Sequence, residues 1–261
     1  MKLAVTGKGG TGKTTIAGLL AHYYSNDGYQ VLAVDADPDA NLASAIGIPY
    51  EQAASIVPIS AQRKLIKERT GADPRQFGQL FKMNPSVSDI PDKACIDLGR
   101  IRLLVVGAIR KGGGGCACPE NVLLKSLLSE IMLRREDVVI VDMEAGIEHL
   151  GRATADAIDK ILIIVEPGSR SISTAKSIIK LAGEIGVHSF GIIGNKIQTN
   201  QDKARISEQF PLDLILGMIS YHNVIYEADL SGEPLFELVD DSLKKEFDEI
   251  YHRINSNQSS V

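Results

Sequence analysis

The 261-residue chain has 28 basic and 33 acidic residues, a net charge of −5, 44% hydrophobic and 5% aromatic residues, and no tryptophan. It contains no long basic block and no aromatic stacking surface, which argues against nucleic acid as the main partner. No apolar stretch approaches the roughly 20 residues that cross a bilayer; three cysteines and a core strand at the very start lead us to expect a cytoplasmic protein without a leader or a membrane association.

Length and apolar content allow one substantial core, so a single domain over 1–261 is expected. Apolar runs alternate with helical patterns. They predict strands over 2–6, 31–35, 102–106, 137–142, 161–165, 188–194 and 213–218, with crossover helices over 119–135 and 169–186. Runs such as Val138-Val-Ile-Val141 and Ile161-Leu-Ile-Ile-Val165 are apolar throughout, the mark of strands buried on both faces. The predicted architecture is therefore three-layer α/β, a mainly parallel sheet with helices on both faces and ligands at the carboxyl ends of its strands. Residues 50–100 read least clearly: a helix over 59–69 is broken by Gly71-Ala-Asp-Pro74, and Pro85 and Pro91 suggest an irregular excursion. Near the end, Leu243, Phe247, Ile250 and Ile254 recur at helical spacing beside a face that mixes acids with lysines. Docking of this stripe on the core is expected, not a membrane-surface helix.

Residues 7–15, Gly-Lys-Gly-Gly-Thr-Gly-Lys-Thr-Thr, follow an apolar run and precede an amphipathic stretch, the strand–loop–helix setting of a phosphate-binding loop. Its glycines let backbone N–H groups turn inward around phosphate oxygens, and the helix N-terminus adds positive charge at the same place. Lys13 suits the β- and γ-phosphates of ATP or the phosphates of ADP, and Thr14 suits Mg²⁺. Lys8 is a second lysine on the same turn, placed to reach a phosphate outside its own cradle, most simply across a dimer interface. Asp35 and Asp37 close the second predicted strand, Asp39 reads as the cap of the following helix, and Asp142 ends an apolar run as a Mg²⁺-side carboxylate does.

Residues 112–118 read Gly-Gly-Gly-Gly-Cys-Ala-Cys. Cys116 and Cys118, one residue apart, point the same way on an extended backbone and can face one metal ion. A disulfide between them would be strained, although a redox pair is the competing reading. Two ligands per chain fall short of four, and a two-fold axis would supply the others. Zn²⁺ would take a tetrahedron of thiolates and Ni²⁺ a square plane; the spacing does not choose. Cys95 reads as a packed small residue, and His149 as an ordinary hydrogen-bonded histidine.

With Lys8 in the loop, the chain resembles the deviant Walker A ATPases, the group of MinD and ParA positioning proteins and the nitrogenase iron protein. Loop and thiol pair together resemble the CooC-type accessory ATPases of carbon monoxide dehydrogenase. Further matching segments are Asp35-Ala-Asp37-Pro38-Asp39, Gly146-Ile-Glu-His-Leu150, Val165-Glu-Pro167 and Asn195-Lys196. The resemblance implies ATP hydrolysis in a sandwich homodimer, with Lys8 crossing to the partner's nucleotide, and delivery of nickel to the cluster of carbon monoxide dehydrogenase as client. It assigns nucleotide contacts to Gly9, Gly10, Thr11, Gly12, Lys13, Thr14, Thr15 and Lys196, base reading to Asn195, and water activation in a first switch to Asp37. It also implies that Asp35 and Asp142 lie near Mg²⁺, and that a second switch runs from Met143 to Gly146. Glu144 departs from the family pattern, which favours glycine there. The loop 220–223 is expected to flank the base. Two rival readings share the loop: a positioning or partition ATPase, which needs no thiol pair, and an iron–sulfur carrier or scaffold ATPase.

Overall fold

The computed structural model describes residues 1–74, 76, 78–107, 118–133, 136–145 and 157–256. Its centre is an eight-stranded sheet built from β1 (Lys2–Gly7), β2 (Val31–Ala36), β3 (Ile96–Leu98), β4 (Ile101–Val105), β5 (Val138–Met143), β6 (Lys160–Val165), β7 (Phe190–Ile197) and β8 (Ile215–Ser220). The order across the sheet is β3-β4-β2-β5-β1-β6-β7-β8. All neighbours are parallel except β3 and β4, which form an antiparallel pair.

Side-chain alternation divides each central strand between two cores. Leu3, Val5, Ala33, Ile140 and Ile164 face one side, where they meet Ile16, Leu20 and Tyr24 of α1 (Lys13–Asn26) and Leu42 of α2 (Leu42–Ala45). Ala4, Val34, Val141 and Ile163 face the other, against Leu124, Leu128 and Ile131 of α6 (Pro119–Leu133) and Ile172 and Ile178 of α7 (Ser169–Ile185). Because both faces are covered, the strands carry apolar residues at every position, which is why their sequences do not alternate. The predicted three-layer α/β architecture is what forms.

The short α3 (Tyr50–Ser55), α4 (Arg63–Thr70) and α5 (Ile90–Ala94) fill residues 50–100. The helix expected over 59–69 is split: Ile59–Ala61 is a 3₁₀ turn, the chain leaves helical geometry at Gln62 (ψ 75°), and α4 follows and stops at Gly71, whose φ of 84° is left-handed. After β7 come α8 (Asn200–Ser207), then α9 (Asn223–Ser231), α10 (Leu235–Leu238) and α11 (Asp241–Ser256). The stripe Leu243, Phe247, Ile250 and Ile254 is buried in the α1-side core, so α11 docks as its spacing predicts. Cys95 is half-buried against the α6-side core, as expected of a packed small residue. Among the described residues no helix is long and apolar enough to cross a membrane.

Candidate active site

The chain runs out along β1 between β5 and β6, and the strand order reverses about β1, so a crevice opens at its carboxyl end. The loop leaving β1 enters α1 through Gly10 and Gly12, with φ of 81° and 91°. Thr11, fully buried, donates its hydroxyl to the Lys8 carbonyl at 2.8 Å and closes the turn from within. A β-carbon on Gly12 would stand 2.4 Å from Asn195 Nδ2, so the loop needs glycine there for space as well as for φ.

Three carboxylates surround the loop. Asp142, at the end of β5, is fully buried and its Oδ2 accepts the Thr14 hydroxyl at 2.6 Å. Its Oδ1 is buried and has no hydrogen-bond partner, so hydroxyl and open acceptor together make an oxygen donor set of the kind a hard divalent cation takes. Burial pushes the Asp142 carboxyl up to about 7, against the Thr14 hydrogen bond and with help from the nearby Asp35 charge. Asp35 stands beside it in register on β2 and is raised to about 6, again by burial. Asp37, in the segment after β2, meets Lys13 Nζ at 3.5 Å.

Asp35 does more for the backbone than its sequence position suggests. Its Oδ2 accepts the Leu42 N–H at 2.9 Å and its Oδ1 the Asp37 N–H at 3.2 Å. The first N–H of α2 is therefore capped by Asp35, and the expectation that Asp39 caps this helix is corrected. Asp39 instead donates its own N–H to Asp37 Oδ1 at 3.0 Å, because the chain turns tightly there before the helix begins.

Asn195 and Lys196 lie inside β7 and face the loop. Asn195 Nδ2 donates to the Thr11 carbonyl at 2.8 Å, and Lys196 Nζ donates to the Gly10 carbonyl at 2.6 Å. Lys196 is also paired with Glu166 Oε1 at 2.7 Å. Glu166, at the end of β6, had no role in the sequence reading; Val165-Glu-Pro167 marked the segment but not the contact. The loop after β8 is braced from α11: Glu246 accepts from the Ser220 N–H and hydroxyl and lies 3.0 Å from His222 Nε2. Burial opposes the charge on Glu246, but these hydrogen bonds outweigh it and hold the carboxyl below its usual range.

Lys8, Gly9, Gly10, Thr11 and Gly12 form the turn at this crevice and Lys13, Thr14 and Thr15 open α1 behind it, with Asp35, Asp37 and Asp142 nearby. Lys8 is half-buried, and its ammonium makes no ion pair among the described residues. Cys118 is half-buried where α6 begins, its carbonyl accepting the Val122 N–H at 3.1 Å. Cys116, Gly146 and His149 lie outside the described residues. Among the described residues no group of three or more His, Cys, Asp and Glu side chains is arranged to hold a metal ion.

The pattern of the CobQ/CobB/MinD/ParA nucleotide-binding domain matches residues 2–235. The chain is 46% identical to the carbon monoxide dehydrogenase accessory protein CooC of Rhodospirillum rubrum, over 91% of this chain and 90% of that protein. It is 43% identical to an uncharacterised ATP-binding protein of Methanocaldococcus jannaschii, over 97% of both chains. A ParA family ATPase from Chlorobium tepidum superposes with a TM-score of 0.66 at 18% identity, covering 98% of each chain, a likeness of fold alone.

Proposed function

Because the chain belongs to the CobQ/CobB/MinD/ParA nucleotide-binding family and is a CooC-like ATPase within it, we propose that it is a homodimeric metallochaperone that delivers nickel to carbon monoxide dehydrogenase. The observation that carries this reading is the presence in one chain of a loop lysine, Lys8, with no ion-pair partner among the described residues, and the Cys116-Ala-Cys118 pair. Its likeness to a protein named as an accessory of that dehydrogenase supports the choice of client.

The chemistry starts from the Lys13–Asp37 pair. When ATP enters, Lys13 exchanges Asp37 for the β- and γ-phosphates, whose charge is greater. Asp37, released, orients a water against the γ-phosphorus. The water oxygen bonds to the γ-phosphorus as the bond from that phosphorus to the β–γ bridging oxygen breaks; the bridging oxygen leaves on ADP, and the water's proton passes to an oxygen of the departing phosphate. Thr14 and Asp142 would hold Mg²⁺, with Asp35 beside them, and the bound ion would neutralise phosphate charge. Asp35 holds Asp37 and α2 in place through their backbone N–H groups.

Lys8 extends from one protomer to the nucleotide of its partner, so ATP binding favours the dimer. That brings two Cys116-Ala-Cys118 segments to the two-fold axis, where four thiolates hold one Ni²⁺ as cargo. Loss of phosphate weakens the cross-contact, the protomers part, and the halved ligand set lets the ion pass to its client.

The test is equilibrium Ni²⁺ and Zn²⁺ binding with and without nucleotide, with sedimentation, on the wild type and the C116A/C118A double variant. One ion per two wild-type chains, lost in the variant while ATP binding persists, is the expected result. Unchanged stoichiometric metal binding in the variant would refute the thiolate site.

A further inference from the structure

We infer that Glu166, acting through Lys196, is a positioning residue that holds the phosphate loop in its anion-binding shape before any nucleotide arrives. This rests on reading residues 7–15 as a phosphate cradle.

The starting observation is a bulge. Gly194 pairs with Met218 and Ile197 with Ser220, so β7 places one more residue than β8 between those pairs. Bulges redirect side chains, and they gather beside active sites. Here the redirected residue is Lys196, with φ of 57°, the one non-glycine with positive φ among the described residues. A left-handed lysine costs about 1–2 kcal/mol relative to ordinary backbone, so something must hold it. Its ammonium is held twice, by the Gly10 carbonyl at 2.6 Å and by Glu166 at 2.7 Å. Glu166 is itself fixed, because its N–H donates to Ser171 Oγ at 3.0 Å where α7 begins.

The effect on the loop follows from peptide geometry. In a trans peptide the C=O and the next N–H point in opposite directions. Lys196 draws the Gly10 carbonyl toward β7, which leaves the Thr11 N–H of the same peptide to close the turn on the Lys8 carbonyl at 3.2 Å, and Asn195 draws the Thr11 carbonyl toward β7 as well. The Gly12 N–H shares its peptide plane with the Thr11 carbonyl, so it is turned the other way, to the concave side of the loop. Without these anchors Gly10 and Gly12 could rotate freely, and binding phosphate would carry the cost of ordering them. Glu166 is needed because an ammonium on a half-exposed stem otherwise swings into water. Asn195, expected to read the base, and its neighbour Lys196 thereby act on the loop that reads phosphate.

The two roles separate with a ligand that has no base. Wild type, K196M, E166Q and K196R are titrated with ATP and with inorganic tripolyphosphate, and K196G is unfolded in urea. K196M should weaken both ligands by the same factor, about tenfold, or about 1.4 kcal/mol. E166Q should weaken both about fivefold, and K196R should recover to within about twofold. K196G, relieved of its strained φ, should be at least as stable as wild type yet bind tripolyphosphate as poorly as K196M, which separates positioning from folding. The inference fails if K196M loses ATP but binds tripolyphosphate like wild type, since Lys196 would then read the base. It fails equally if E166Q binds both ligands unchanged. A wild-type chain that bound neither ligand would overturn the cradle reading itself, and the inference with it.

Discussion

Alanine substitution along the phosphate loop separates three backbone demands that the sequence writes with one letter. Gly9 has no left-handed φ, and an added β-carbon there meets nothing within 4 Å. Gly10 has a φ of 81° and open space, so Gly10→Ala carries backbone strain alone, about 1–2 kcal/mol. Gly12 has a φ of 91° and a β-carbon position 2.4 Å from Asn195 Nδ2, so Gly12→Ala carries the same strain and expels that amide. Asn195 is buried and its amide satisfies the Thr11 carbonyl; leaving such a group unpaired costs about 1–3 kcal/mol more. The expected losses are under about 0.5 kcal/mol for Gly9→Ala, about 1–2 for Gly10→Ala, and about 2–5 for Gly12→Ala. Urea denaturation midpoints without nucleotide read the order directly. The reasoning is refuted if Gly12→Ala is no worse than Gly10→Ala, or if Gly9→Ala matches either.

Two further outcomes are expected. The buried carboxyls of Asp142 and Asp35 are raised from 3.8 to about 7 and about 6, so the folded state binds more protons than the unfolded one between those values. Their contribution to the stability of the nucleotide-free protein is fully present below about pH 4 and is lost as pH rises through about 6 and 7; Asp142→Asn should flatten the upper part of this fall in a series of urea titrations, and an unchanged slope would show that Asp142 does not titrate there. Phe247 is fully buried in the α1-side core, so Phe247→Ala should cost about 3–5 kcal/mol in the same assay, whereas a membrane-facing α11 would lose almost nothing.

The parts of the fold that were legible are those where a short stretch contains its own reason. The apolar run Val138–Val141 reads as a strand covered on both faces, and the spacing of Leu243, Phe247, Ile250 and Ile254 reads as one apolar helical stripe, which the structure buries. The antiparallel β3 escaped because it is three residues long, has Asp97 at its centre and is exposed along most of its length. The α2, α3 and α5 helices escaped because four to six residues hold too little periodicity to read. Local motif also picked out the glycine-rich loop at 7–15 and the acidic residues that the structure sets beside it. It did not reveal that Asp35 caps α2, or that Lys196 reaches a carbonyl 186 positions away, since both depend on which strands the sheet sets side by side.

The contact between Lys13 and Asp37 has a consequence for the resting protein. Each group is the other's counter-ion, so an incoming triphosphate has to compete with the Asp37 carboxylate for the Lys13 ammonium. Under the proposed mechanism the arrival of triphosphate is itself the event that frees Asp37, and departure of the products lets the pair re-form.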